Sequence, residues 1–544
     1  MSTSQGRIFA FNQERDAILQ EVIQRRLVAH GRNPDRLRLD LNDAAFTEIT
    51  RIEEAGQTSG KAYGHWRELY RRIGRLDATG LEAELARMVR HYARDVVGNF
   101  DPRVYAFATR IVPPALSFLW RPQFNWSRLL NLSTARERIL VQGPIDRIRS
   151  LAGKGTLILV PTHLSNLDSL AIGFSLLTQS LPPFTYGAGK NLFFNPFISY
   201  FMHNLGAYRV DRRLRFPLYK EVLKTYSQVL LERGYHSLFF PGGTRSRSGE
   251  VERRLKLGLL GTAYSAATRR LQAGASAPGI WVVPCTLNYQ IVLEAETLID
   301  DQLKREGQHR YIIEDDESSR LGRILSYGRQ VMNLDASMVV QFGDPMDLWG
   351  HRVDEDGESR DAHDRLVSTR SYLCRRGTPH EDAQRDHEYT EELGRSIVAA
   401  FHRHTVATVT QVAAHAVWRL LEARFPNADL YGILRLGQGI GYSERRVLEA
   451  IEHDRIALHR LAERGEILLG SRVRTGTSEA ILATALASFG MYHQRAALAR
   501  SGNRIVIEDP KLLLYYRNRL TGHALPALPE ELARAAAEEI ADGA

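Results

Sequence analysis

Apolar positions fall into three regimes along the chain. In ELARMVRHYARDVVGNF, Leu85, Met88, Val89, Tyr92 and Val96 recur at spacings of three and four, one stripe of an amphipathic helix. Residues 1 to about 135 read as mostly helical, although Pro113 and Pro114 interrupt any helix in the basic, aromatic segment 103–126. From about 136 to 345 the pattern becomes short continuous apolar runs: TLILVP (156–161), HSLFFP (236–241), IWVVPCTLNY (280–289) and SMVVQFG (337–343). Runs bounded by turn residues fit strands buried on both faces. The stretches LDSLAIGFSLLTQ and PLYKEVLKTYSQVLLERG between them are helical, and this alternation predicts an α/β layer fold. Residues 346–390 form a polar insert whose acidic VDEDGESRDAHD reads as a loop. From 391 to 544 the pattern is helical again, TEELGRSIVAAFHRHTVATVTQVAAHAVWRLLEARF being its first part.

Composition narrows the function classes. Of 544 residues, 44% are hydrophobic and 25% charged, a globular balance that excludes collagen, a disulfide scaffold and a wholly disordered chain. Cys285 and Cys374, the two cysteines, build neither a disulfide framework nor a cysteine zinc site, which fits a reducing compartment. Cys285 lies in an apolar strand and reads as core. His402, His404 and His415 share one helical stretch without an HExxH pattern, so no metal is expected. No apolar run approaches a membrane span, and the N-terminus lacks the apolar core of a secretory signal. The expected location is the cytoplasm, with peripheral membrane association open through an amphipathic surface.

The net charge of +9 and a pI near 9.4 suggest an anionic partner. The charge is concentrated: between Leu205 and Lys256 stand twelve Lys and Arg against five acids, +7 in one segment. That segment surrounds a Gly-rich turn at a strand end and carries no nucleic-acid module, so nucleic acid is not the expected partner.

Two stretches carry candidate chemistry. In VPTHLSNLD, His163 follows a buried strand and Asp168 comes five residues later. On one regular helix the pair would point about 140° apart. They meet only if His163 sits on the turn before the helix and Asp168 in its first turn, with Ser165 as a capping residue. A carboxylate on one imidazole nitrogen supports proton uptake at the other, as a general base for a hydroxyl requires. The competing reading is a strand-end histidine and a helix-capping aspartate. In FFPGGTRSRSG, Gly242 and Gly243 free the backbone for close approach to a ligand, and Arg245 and Arg247 follow. Guanidinium groups match a phosphate bidentately. The competing reading is a solvated hairpin.

PTHLSNLD, GKNLFFNPFISYFMHNLGAYRVDR, FFPGGTRSRSG and VVPCTLNY, in this order, resemble the four motif blocks of the glycerolipid acyltransferases over about residues 156–290. HTVATVTQVAAHAVWRLL and the chain's size look more like the glycerol-3-phosphate/dihydroxyacetone-phosphate branch than the lysophosphatidate branch. The resemblance implies a central mixed-sheet acyltransferase domain. It implies His163 as general base with Asp168 orienting it, and Arg245, assisted by Arg247, on the acceptor phosphate within the turn Gly243, Thr244 and Ser246. It places Asn191, Leu192 and the Gly206–Arg212 segment, Arg212 included, on the acceptor side, and Pro284 in the block tied to the acyl side. The substrates implied are a glycerol phosphate acceptor and an acyl thioester, acyl-CoA or acyl carrier protein, with no cofactor and an anionic membrane surface as partner. Acylation of lysophosphatidate, or a non-catalytic lipid-binding relative, are the alternatives. One departure stands out: the family usually has Glu where this chain has Gly242.

Overall fold

The computed structural model describes residues 6–30, 33–120, 139–190, 196–307 and 338–539. Seven strands form the central sheet: β1 (Ile139–Gln142), β2 (Thr156–Pro161), β3 (Thr185–Gly189), β4 (Ala207–Val210), β5 (Ser237–Leu238), β6 (Ile280–Tyr289) and β7 (Met338–Phe342). Their order is β1-β7-β6-β2-β5-β3-β4. All neighbours are parallel except β6 and β7, so the sheet is mixed. β2 explains why its sequence is apolar at every position. Leu157 and Leu159 enter one core and Ile158 and Val160 the core on the opposite face.

Each face is covered by different helices. Ile158, Val160 and Val282 pack against the helices Thr262–Gln272 and Ala383–Arg403. The other face packs against the helix Asp168–Thr178 and the C-terminal region, where the helix Val409–Arg424 is buried nearly all round and is opened by a Thr408–Gln411 capping box. The N-terminal helices Phe11–His30, Pro34–Glu54, Lys61–Ile73 and Ala78–Val96 build a third core with the helix Pro217–Glu232.

Four local expectations change. A helix spans Pro102–Trp120 and runs through Pro113 and Pro114. Proline's fixed φ is itself helical; what the pair removes is N–H donors. The 236–241 run is a strand only at Ser237–Leu238, because the backbone then leaves the sheet for the Gly-rich turn. The acidic stretch is not all loop: Arg352–Val353 pairs with Ser359–Arg360, and Met346, Leu348 and Val353 are buried. The helical run after residue 391 is split, with Val406–Ala407 pairing to Leu468–Leu469 between the helices Ala383–Arg403 and Val409–Arg424.

The topology places the candidate chemistry. β2 and β5 are parallel neighbours, Leu159 lying opposite Leu238. The segments leaving their carboxyl ends, Thr162-His163 and Pro241-Gly242, therefore emerge side by side at the edge where α/β sheets bind ligands.

Candidate active site

His163 sits on the turn after β2, and Asp168 is the first residue of the helix Asp168–Thr178. His163 Nδ1 lies 2.7 Å from Asp168 Oδ2. The same oxygen accepts the backbone N–H groups of Leu164 at 2.7 Å and Ser165 at 3.0 Å, so the carboxylate folds the turn back onto the imidazole. Oδ1 accepts the Tyr289 hydroxyl at 2.5 Å. Burial, followed by the Asp168 charge, pushes the Tyr289 phenol well above its ordinary pKa and keeps it a donor. Asp168 is fully buried with both oxygens engaged. The N-cap position itself is Leu167, but Ser165 keeps a capping role: its hydroxyl accepts the Leu167 N–H at 3.2 Å while donating to Glu294 Oε2 at 2.9 Å, and its own N–H goes back to Asp168.

The ring of Phe240 stacks on His163 with centroids 4.2 Å apart and planes 26° apart. With Nδ1 on Asp168, Nε2 has no hydrogen-bond partner among the described residues, and the side chain is 18% exposed. Histidine–aspartate contacts also occur at His351–Asp347 and His415–Asp454. What distinguishes His163 is its place at the sheet edge, bonded to the Gly-rich turn.

That bond is direct: Ser246 N–H donates to the His163 carbonyl at 2.7 Å. Gly243 carries the turn at φ +77°, and a Cβ there would lie 2.5 Å from Lys256 Cδ, so position 243 requires glycine. Thr244 Oγ1 accepts from Arg247 Nη1 at 3.2 Å, and Arg247 also pairs with Asp301. Arg245 Nη1 lies 3.4 Å from Glu294 Oε1. Both arginines thus stand beside His163, held by carboxylates. Arg212 follows β4 and is exposed; Asn191 and Leu192 lie outside the described residues.

The basic segment sorts into two populations. Arg233 pairs with Glu14 and Glu21, Arg209 with Asp95, and Arg213 with Asp211. Arg212, Arg215 and Lys256 have no ion pair among the described residues. Although Lys256 is exposed overall, partial desolvation of its ammonium group, then the positive fields of Arg212, Arg215 and Arg247, lower its pKa. Clustered cations that depress one another favour an anion between them.

Several residues of the site were not singled out in the sequence: Tyr289, Phe240, Glu294, Lys256 and Glu252. Glu252 Oε1 accepts the His163 backbone N–H at 2.7 Å. Cys285 is buried in β6, where burial, then the Asp168 charge, raises its thiol pKa; it is core. Among the described residues no group of three or more His, Cys, Asp or Glu is placed to hold a metal.

Residues 138–288 match the Acyltransferase family model, a span that holds β1 to β5, β6 up to Asn288, and both candidate stretches. Curated relatives agree. The glycerol-3-phosphate acyltransferase of Aeromonas hydrophila subsp. hydrophila is 28% identical over 253 residues, 46% of this chain and 28% of that protein. That of Actinobacillus pleuropneumoniae serotype 5b is 29% identical over 261 residues, 48% of this chain and 28% of its own. That of Haemophilus ducreyi is 31% identical over 210 residues, 38% of this chain and 23% of its own. The matches therefore span only about a quarter of these relatives' length. Residues 138–288 thus match the Acyltransferase family and are similar to these glycerol-3-phosphate acyltransferases, over the stretch that holds the His163–Asp168 pair and the adjoining Gly-Thr-Arg turn.

Proposed function

We propose that this chain transfers a fatty acyl group from an acyl thioester to a hydroxyl of glycerol-3-phosphate. The observation that carries the reading is an imidazole with Nδ1 on a fully buried carboxylate and Nε2 unengaged among the described residues, on the same sheet edge as Arg245 and Arg247. Nε2 takes the acceptor hydroxyl proton as the oxygen attacks the thioester carbonyl. The tetrahedral intermediate collapses, the C–S bond breaks, and the imidazolium returns the proton to the departing thiolate. Asp168 stabilises the transient imidazolium. Arg245 exchanges Glu294 for the acceptor phosphate. Thioester chemistry carries its own leaving group, so the reading needs no cofactor, and both acyl-CoA and acyl carrier protein are donors to assay.

Arg245→Ala is expected to raise the acceptor's half-saturation concentration roughly ten- to a hundredfold, the scale of one charge-assisted hydrogen bond, and to leave the donor's nearly unchanged. Arg245→Lys rescues partly, because an ammonium keeps the charge and loses the two-pronged match. Initial rates against each substrate decide this. Equal losses on both substrates would remove Arg245 from the acceptor phosphate. The acceptor itself is decided by assaying glycerol-3-phosphate, dihydroxyacetone phosphate and lysophosphatidate side by side. The highest kcat/KM belongs to glycerol-3-phosphate on this reading; a preference for lysophosphatidate overturns the choice of acceptor.

Membrane contact is proposed as peripheral. Among the described residues no helix is long and apolar enough to cross a membrane. Phe107 and Ile111, on the helix Pro102–Trp120, are about half exposed, as is Tyr200, next to Phe201 on which Phe107 stacks. Sedimentation with anionic vesicles should fall as salt rises, because exposed charges are screened beyond roughly 8–10 Å. Binding released only by detergent would instead indicate a deeper apolar anchor.

A further inference from the structure

Glu252 reaches His163 from the far side of the Gly-rich turn. Its Oε1 holds the His163 backbone N–H at 2.7 Å, while Oε2 is sealed from solvent without a partner among the described residues. A Cβ built on Gly242 would lie 3.1 Å from Glu252 Cγ and 3.4 Å from Oε1. A glutamate carboxylate oxygen stands roughly 3–3.5 Å from its own Cβ, three bonds away. The space that a glutamate at 242 would fill is therefore the space that the Glu252 side chain does fill. Gly242 is not in the left-handed region, and a side chain there meets the Glu252 side chain first, with the Thr244 carbonyl at an ordinary 3.6 Å.

Arg519, 2% exposed, sits in the C-terminal turn Asn518–Leu520 with Nη2 on the Leu287 carbonyl at 3.3 Å and with Nε and Nη1 unpartnered among the described residues. Burial raises the Glu252 pKa; the Arg519 charge, then the bond from His163 N–H, oppose that rise. The C-terminal region is fixed against the turn as well: Asn518 Nδ2 donates to the Ser248 carbonyl at 2.9 Å.

We infer that Glu252 is the positioning residue that fixes the His163 backbone, occupying the room left by Gly242. This rests on the acyl-transfer reading for its catalytic consequence and on geometry alone for its structural one. Without Glu252, the His163 N–H loses its acceptor and the imidazole drifts from its aim. The carboxylate is interchangeable between the two positions, because either side chain delivers it to the same point.

The experiment uses the full chain and four forms: parent, Glu252→Ala, Gly242→Glu, and the double variant. Hydrogen exchange of peptides spanning 160–168, read by mass spectrometry, reports the His163 N–H bond; steady-state acyl transfer reports aim. Glu252→Ala should exchange faster at His163 and lose about 10- to 100-fold in kcat with little change in either KM. Gly242→Glu alone should also lose activity, since two carboxylates crowd one space. The double variant should regain slow exchange and most of the lost kcat, exceeding both single variants. Glu252→Gln, which keeps the shape, covers misfolding of the alanine variant and should recover part of the protection. Unchanged exchange in both Glu252 variants, or a double variant no better than Glu252→Ala, overturns the assignment. If the parent shows no acyl transfer, the functional reading fails while the exchange measurement still decides the role of Glu252.

Discussion

His163→Ala is expected to lower kcat for acyl transfer by about 10²–10⁴-fold, the usual contribution of general acid–base catalysis, while the fold persists. The cause is confined to one ring. His163 is partly exposed, and apart from the stacked Phe240 ring its side chain bonds only Asp168 among the described residues, so truncation leaves the β2–β6 pairing intact. What is lost is the acceptor for the hydroxyl proton. The donor's half-saturation should stay near the parent value, because the acyl thioester does not require Nε2 to bind. Circular dichroism and initial rates, taken together, check this. Parental turnover would remove His163 from the chemistry; a collapsed spectrum would reassign it to structure.

Asp168→Asn is expected to be about as severe, with a drop of roughly 10³–10⁴ in kcat, the scale on which an amide in place of the orienting carboxylate spoils the tautomer of a catalytic histidine. In this chain the effect has a second part. Oδ2 accepts from His163, Leu164 and Ser165, and Oδ1 accepts from Tyr289. An asparagine supplies one oxygen and one NH₂ to four donors: with its oxygen on the His163 side the Tyr289 hydroxyl must turn to accept from the NH₂ and loses the acceptor for its own hydrogen, and with its NH₂ there the Leu164 and Ser165 N–H groups lose theirs. Each buried donor left unsatisfied costs about 1–3 kcal/mol. Asp168→Asn should therefore lose both turnover and denaturant resistance, unlike His163→Ala, which should lose turnover alone. Measuring kcat and the urea midpoint of both variants separates the two roles. An Asp168→Asn protein of parental stability would contradict the four-donor geometry.

The elements that could be read from the sequence are those whose cause is local. β2 is apolar at every position because both faces are covered, and it runs over Thr156–Pro161 as the pattern predicts. His163 and Asp168 are close in the chain, so one tight turn unites them. The Gly-Thr-Arg turn is legible for the same reason. Glu252, Tyr289, Glu294 and Arg519 come to the site from separate strands and turns, and nothing in their immediate sequence marks them. Glu252 left only an indirect trace, the missing acid at 242. The prolines at 113 and 114 show the opposite error: a local rule read as a break, where the helix Pro102–Trp120 continues. The basic segment was legible as a sum of charge. Its division into arginines paired with the N-terminal helices and cations left around the turn needs the tertiary structure.

The central claim is that His163, oriented by Asp168, deprotonates the hydroxyl of a glycerol phosphate. One measurement tests it directly: product formation from radiolabelled glycerol-3-phosphate and a long-chain acyl thioester, supplied on CoA or on acyl carrier protein, by the parent chain and by folded His163→Ala side by side. The expected result is acylated glycerol phosphate from the parent, with at least about a hundredfold less from the variant. Equal product from both proteins, or none from the parent with either carrier, would contradict it.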